Sequence, residues 1–361
     1  MAGGRLEGYL LLAGGIKEAS TIRRPDVVDL AERRLFVKPE DLKLARGPTR
    51  RVAAAFNPAI EVEGSRVRVH ARIEVGYYTY ASMIGGFTLD AGEILSGSLR
   101  RGEITVEPEI MPGDWVDFWG AEDPRYSEVD GEKLLVYTGR TLTYFAGEKA
   151  PGRTYPVVAS PRRGGWVKLG YITLPGGKDH MVISSKNAFL VKEGGEVYAF
   201  HRVHDVTGRF HLLVSRVSWP PGGGLSRIEA RESWVVLEPQ PFEDKIGWST
   251  LVHGLKGERG YLALIHAVDA TTPRYLLFAA LIRLSSGKPE VEAVTPTYIM
   301  APREPEEVYG DRPYTIYPCG AWAIDDQIII SYGAGDMAIG FASIKIDYLM
   351  SELDKGSLKL A

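Results

Sequence analysis

Cysteine is nearly absent. Cys319 is the only one in 361 residues, which excludes an internal disulfide framework and fits a reducing compartment. Long apolar runs are missing as well. Tyr9-Leu10-Leu11-Leu12-Ala13 near the start is shorter than the core of a typical signal peptide and far below a membrane span. A cytoplasmic protein with no membrane partner is the expectation. Charge of one sign is not in excess either. A net charge of -3 argues against nucleic-acid binding driven by electrostatics. Basic residues cluster only as pairs, such as Arg50-Arg51 and Arg100-Arg101, which read as solvated faces. His180, His204, His211 and His253 show no ligand spacing, so no metal is expected. The glycine-rich Pro220-Pro221-Gly222-Gly223-Gly224 lacks a following lysine in register and reads as a loop, not a nucleotide cradle.

Long amphipathic helices are scarce. The sequence predicts a helix over Pro25 to Arg34 and another over Asp347 to Leu353. Most of the remainder is short runs of Val, Ile, Leu, Tyr and Phe. Turn signals break them at Glu63-Gly64-Ser65, Asp130-Gly131-Glu132, Glu193-Gly194-Gly195, Lys256-Gly257-Glu258 and Ile324-Asp325-Asp326. With 41 glycines and 22 prolines, this is a hairpin-rich, all-β chain.

The hairpins repeat. Asn57, Glu122, Asn187, Leu251 and Tyr317 each open a strand, at steps of 65, 65, 64 and 66 residues. A second strand carries a partner 15 residues on: Arg72, Tyr137, Arg202, His266 and Tyr332. A period near 65 leaves room for about four strands per unit and predicts a five-bladed β-propeller. The competing reading is a β-sandwich with equally spaced hairpins. The predicted organisation is a single propeller domain over 1–361, with an N-terminal extension over 1–50 and a short C-terminal helix. Its blades start near residues 57, 122, 187, 251 and 317. Inner strands of a propeller line the axis, so these positions converge on one end of the channel.

The densest charge on that ring is Ala121-Glu122-Asp123-Pro124-Arg125. Such a string is costly to bury unless paired or used. The ring offers Glu122, Asp123 and Asp336 as acids, and Arg72, Arg125, Lys186, Arg202 and His266 as cations. Asn57, Ser82, Asn187, Tyr137 and Tyr332 are neutral hydrogen-bonding groups. Cations around a few carboxylates suit an anionic or polyhydroxylated ligand. In an extended strand Glu122 and Asp123 point to opposite faces, so only one is expected to face the ligand.

Glu122-Asp123-Pro124-Arg125 followed by Tyr137-Thr138 resembles the signature of glycoside hydrolase family 130, the β-mannoside phosphorylases and their relatives. Phe56-Asn57-Pro58-Ala59 with Arg72 resembles that family's first blade. Ser185-Lys186-Asn187-Ala188 with His201-Arg202 resembles the third, where a Lys-Asp pair is more usual. Leu264-Ile265-His266 resembles the fourth. Tyr317-Pro318-Cys319-Gly320 with Tyr332-Gly333-Ala334-Gly335-Asp336 resembles the fifth.

The resemblance implies a five-bladed propeller and inverting cleavage of a β-mannoside, by phosphorolysis to mannose 1-phosphate. Asp123 would be the general acid, working through a sugar hydroxyl. Lys186, Arg202 and His266 would hold phosphate, which is then the co-substrate, with no other cofactor. Asn57, Arg72, Ser82, Glu122, Arg125, Asn187, Tyr332 and Asp336 would hold the sugar, and the glycines before Asp336 would let backbone approach it. The implied partners are an oligosaccharide or mannoside and phosphate, and the resemblance suggests a homo-oligomer. Gly247-Trp248-Ser249-Thr250-Leu251 and Ala267 depart from the family's fourth blade. A hydrolase of the same fold, or a sugar-binding propeller without catalysis, are the alternatives. Cys319 reads as a packing residue. Trp115, Trp119 and Trp166 read first as aromatic packing, with stacking on sugar as the second option. The loops Tyr144 to Arg153 and Trp219 to Arg231 are expected to shape the pocket rim.

Overall fold

The computed structural model describes residues 6–358, apart from 48, 79–80, 101, 256–259 and 285–286. The turn expected at Lys256-Gly257-Glu258 lies outside the described residues.

Five antiparallel four-stranded sheets follow one another as blades. Blade one is Ala54–Glu63, Arg66–Glu74, Ser82–Asp90 and Ile104–Ile110. Blade two is Ala121–Val129, Glu132–Arg140, Thr154–Arg162 and Gly165–Thr173. Blade three is Val182–Glu193, Glu196–Asp205, Phe210–Val217 and Ser226–Leu237. Blade four is Glu243–Leu251, Tyr261–Asp269, Tyr275–Arg283 and Glu290–Val294. Blade five has Ile316–Ile324, Gln327–Ala334 and Ala338–Lys345, and takes its outer strand, Glu32–Val37, from near the chain's start. Each first strand touches the first strands of its neighbours, and the fifth returns to the first, so the ring closes.

Local chemistry makes these hairpins. Asp130 and Gly131 have φ of 55° and 74°, as a two-residue turn matched to strand twist requires. The blades adhere through interdigitated apolar faces. Between blades three and four, Trp248 is fully buried against Phe189 and Phe200, with its ring 5.0 Å from that of Phe200. Its indole N–H donates to the Leu213 carbonyl at 2.9 Å. The departing fourth-blade sequence is therefore partly inter-blade core.

The predicted helix over Pro25 to Arg34 does not form. Val27 and Val28 are 38% and 42% exposed, so that stretch has no apolar face to bury as a helix. Its backbone N–H groups at Val28 and Leu30 instead donate to the carbonyls of Tyr298 and Ile299, at 2.8 and 2.9 Å. A helix missed by the sequence reading lies earlier, at Ile16–Ile22. The C-terminal helix spans Ile346–Lys355 and buries Leu349 and Leu353. Among the described residues, no helix is long and apolar enough to cross a membrane.

The inner strands of blades one to three share a kink. Register shifts fall between Phe56 and Ala59, Glu122 and Arg125, and Lys186 and Phe189. Within them Asn57, Asp123 and Asn187 take left-handed backbone, with φ of 52°, 51° and 60°. Asn and Asp tolerate that region best among non-glycine residues. The true counterpart of Asn57 and Asn187 is thus Asp123, not Glu122. The bulge also breaks the two-residue alternation.

Candidate active site

A cavity of about 520 Å³ opens where the inner strands begin. Asn57, Arg72, Glu122, Asp123, Lys186, Arg202 and Asp336 all line it. Both acids of the string face inward, contrary to the expectation of one, because left-handed Asp123 turns the strand between them.

Arg72 is the electrostatic hub. Its guanidinium lies 2.7 Å from Glu74, 3.1 Å from Glu122 and 3.5 Å from Asp123. Asp123 Oδ1 also accepts a hydrogen bond from Asn57 Nδ2 at 2.8 Å. Burial alone would raise the pKa of Glu122. Arg72, Lys186 and Arg140, at 3.1, 3.6 and 3.6 Å, reverse this and hold it at about 2. Glu122 is consequently a fixed negative charge rather than a proton donor near neutral pH. Asp336 goes the other way. Burial pushes it up to about 6, although it pairs with Arg312 Nε at 3.0 Å and feels Arg72.

Three predicted residues sit directly behind the wall. Arg125 is fully buried and spans blades two and four. Its Nε donates to the Ser249 carbonyl at 2.7 Å, and its Nη1 to the Asp123 carbonyl at 2.8 Å. It sets the backbone of the acid rather than gripping a sugar. Asn187 Nδ2 donates to the Tyr317 hydroxyl. His266 packs under Tyr317, ring centroids 4.6 Å apart. Burial, helped by Arg202 and Arg125, drives its pKa well below the usual imidazole value. A neutral, covered His266 is not a phosphate-binding cation, so that expectation is corrected.

Ser82, Tyr332 and Tyr137 do not line the cavity. Ser82 Oγ donates to the Ala121 carbonyl at 2.9 Å, tying blade one to the start of the acid string. Tyr332 is buried, and its hydroxyl donates to Glu307 Oε1 at 2.7 Å. The Tyr137 hydroxyl is used by Asp117 Oδ2 at 2.7 Å, within the wall between blades. The fifth-blade glycines approach protein instead of open space. A Cβ on Gly333 would lie 1.9 Å from Asn57 Oδ1, and one on Gly335 would lie 2.7 Å from Gly310 Cα. Cys319 is fully buried, and its pKa is pushed up to about 12 by that burial, as a packing residue would be.

Tyr144, from a loop expected at the rim, lines the cavity; the sequence reading missed Glu74, Arg140, Lys245, Tyr275, Asp311 and Arg312, which also line it. Glu74 stands two positions beyond Arg72, and Arg140 two beyond Thr138, which pairs with Glu122. Strand alternation could have found both. Asp311 and Arg312 come from a loop ahead of blade five, where no periodicity applies.

The arrangement offers several cations, four acids besides Asp123 (Glu74, Glu122, Asp311 and Asp336), and unsatisfied polar atoms. Among the described residues, Asn57 Oδ1, Arg72 Nε, Asn187 Oδ1 and Arg202 Nε are buried without hydrogen-bond partners. Buried polar groups are rarely left so unless something else satisfies them. A ligand rich in oxygen would do so. Among the described residues no cluster of three or more His, Cys, Asp or Glu is placed to hold a metal.

Known proteins resemble this one over nearly its whole length. A curated β-1,2-mannobiose phosphorylase from Thermoanaerobacter sp. (strain X514) is 26% identical, over 81% of this chain and 90% of the relative. A 1,2-β-oligomannan phosphorylase from the same organism is 23% identical, over 87% of this chain and 97% of the relative. The solved β-1,2-mannobiose phosphorylase from Listeria innocua superposes with a TM-score of 0.67 at 17% identity, covering 90% of this chain and 99% of that one. The family model described as beta-1,4-mannooligosaccharide phosphorylase matches residues 21–355. A propeller whose acid string, hub arginine and fifth-blade aspartate meet in one cavity, matched by that model over most of its length, belongs to glycoside hydrolase family 130.

Proposed function

We propose that the protein cleaves β-mannosides with inversion, by phosphorolysis to α-mannose 1-phosphate. The observation that carries this reading is that Asp123 lines the same cavity as Lys186, Arg140, Lys245 and Arg202, whose Nε has no hydrogen-bond partner. Asp123 donates the proton, through a hydroxyl of the mannosyl ring, to the glycosidic oxygen. A phosphate oxygen attacks C1 as the C1–O bond breaks. The cations hold the phosphate dianion, and fixed guanidinium forks suit its oxygens. Glu122, permanently ionised, anchors Arg72, Arg140 and Lys186 in place. Asn57, Arg72 and Asp336 hold the mannosyl ring.

The same reading makes the chain a single propeller domain acting in the cytoplasm, as a homo-oligomer, with phosphate as co-substrate and no other cofactor. Its relatives act on β-1,2 linkages while the matching family model is described by β-1,4, so both linkages belong in the assay. The test is release of mannose 1-phosphate from β-1,2- and β-1,4-linked mannobiose, with and without phosphate. Phosphate-dependent product supports the reading, and free mannose released equally without phosphate assigns hydrolysis instead. Asp123→Asn is expected to lower kcat by roughly 10²–10⁴-fold.

A further inference from the structure

Outside the cavity, exposed apolar side chains gather where the connection from blade one to blade two meets the loop between the second and third strands of blade two. Leu142, Phe145 and Phe118 are 56%, 54% and 48% exposed. Their neighbours form a series of rings. Centroids lie 5.0 Å apart from Tyr144 to Phe145, 5.2 Å from Phe145 to Trp119, and 5.2 Å from Trp119 to Phe118. Tyr144 lines the cavity, so the series begins at the wall and runs outward. Trp115 and Trp166 do not belong to it: Trp115 packs on Tyr171, and Trp166 on His70.

The ledge is preformed. The guanidinium groups of Arg140 and Arg153 lie 4.0 and 4.7 Å from the centre of the Tyr144 ring. Leu142 N–H donates to the Trp115 carbonyl at 2.8 Å, and Trp119 N–H to the Arg140 carbonyl at 2.9 Å. The Trp119 indole N–H donates to the Leu142 carbonyl at 3.3 Å. These bonds stitch one loop to the other, so little ordering cost remains for a ligand. Contiguous apolar surface left bare in this way marks a binding surface.

We infer that this ledge binds the end of an oligomannoside that projects from the cavity, its pyranose rings stacking on Phe145, Trp119 and Phe118. The inference rests on the mannoside reading above. Three features favour a glycan over other occupants. The ledge is continuous with the cavity through Tyr144, the rim residue shared by both. The C–H faces of a pyranose match aromatic faces, while its hydroxyls need a wet edge, and half-exposed rings supply both. Of the other rings lining the cavity, Phe56 and Tyr275 are buried and Tyr317 packs on His266 and Tyr275, so with charged Lys245, Asp311 and Arg312 they give no such exposed platform.

The test compares phosphorolysis of mannobiose and mannotetraose, each β-1,2- and β-1,4-linked, by the parent, Phe145→Ala and Phe118→Ala. The expected result is a KM for the tetrasaccharide raised roughly three- to tenfold in Phe145→Ala, with kcat retained and the disaccharide KM moved much less. An equal change for both chain lengths overturns the inference. If the parent turns over neither sugar, the phosphorolysis reading fails by itself. The ledge is then decided by calorimetric titration of the same sugars into Asp123→Asn. Tighter tetrasaccharide binding that Phe145→Ala abolishes supports it, and binding independent of chain length overturns it. Sedimentation of Phe145→Asp covers the remaining outcome. Loss of an oligomer with chain-length preference intact makes the surface a contact between copies and overturns the inference.

Discussion

Glu122 in blade two, which is buried, and Asp336 in blade five, which is half-buried, are carboxylates lining one cavity, yet their proton affinities diverge. Glu122 is held at about 2 and Asp336 is pushed to about 6. Burial acts alike on both. The difference is the cation count: Arg72, Arg140 and Lys186 converge on Glu122, while Asp336 has Arg312 in contact and Asp123 repelling it. A propeller repeats its backbone position but not its electrostatics, so one ring supplies a fixed charge on one side and a titrating group on the other.

Removing the hub should erase the contrast most severely. Arg72→Ala leaves Glu74, Glu122 and Asp123 without their shared partner and is expected to cost about 3–5 kcal/mol, read by chemical denaturation at pH 7. In that variant Glu122 should titrate higher, narrowing its gap from Asp336.

Acid and alkali should separate the two groups next. The folded pKa of Glu122 is depressed, so its contribution is present above the ordinary carboxylate range and is lost as pH falls through about 2. The folded pKa of Asp336 is raised, so its contribution is present below about 4, its ordinary value, and is lost as pH rises through about 6. Asp336→Asn should therefore flatten the stability profile between those two values and leave the acid limb intact. If ionised Asp336 grips the sugar, the same variant also removes an activity limb near pH 6.

Smaller effects should come from residues placed behind the wall. Tyr332→Phe removes the hydroxyl donating to buried Glu307 and should cost about 1–3 kcal/mol in thermal or denaturant unfolding. Ser82→Ala removes a bond to the Ala121 carbonyl and should cost about 1 kcal/mol, with the mannobiose KM nearly unmoved. A large KM rise in Ser82→Ala would return that hydroxyl to the sugar site.

Much of the fold was legible because its signals are local. Asp130-Gly131 and Gly194-Gly195 announce hairpins by backbone chemistry alone, and the five markers recur at nearly constant spacing. The site was legible only to within a residue. A constant step selects Glu122, whereas the left-handed bulge puts Asp123 at the matching place. Spacing conceals this because the three hairpins match from bulge to turn while the connections between blades differ by a residue: Asp123 lies 66 residues after Asn57 and 64 before Asn187. His266 misled because a cover by Tyr317 and burial, not its ring position, decide its charge. Asp311 and Arg312 were invisible for another reason. Their loop is pinned by Glu307, which accepts from Arg33 Nε at 2.9 Å and from Tyr332, far apart in the chain.

The outer strand of blade five has a consequence in time. Glu32–Val37 is made long before its partner strand: Val37 precedes Ile339, the residue opposite it, by 302 positions. Until Ala338–Lys345 exists, Leu35 and Val37 on this strand have no seat, and the ring is an open arc with an exposed flank. Joining two such distant segments carries a large loop-closure cost and slows folding. The clasp is then an assembly checkpoint: a chain interrupted before residue 345 leaves Glu32–Val37 unpaired, and visible to whatever recognises unfinished protein.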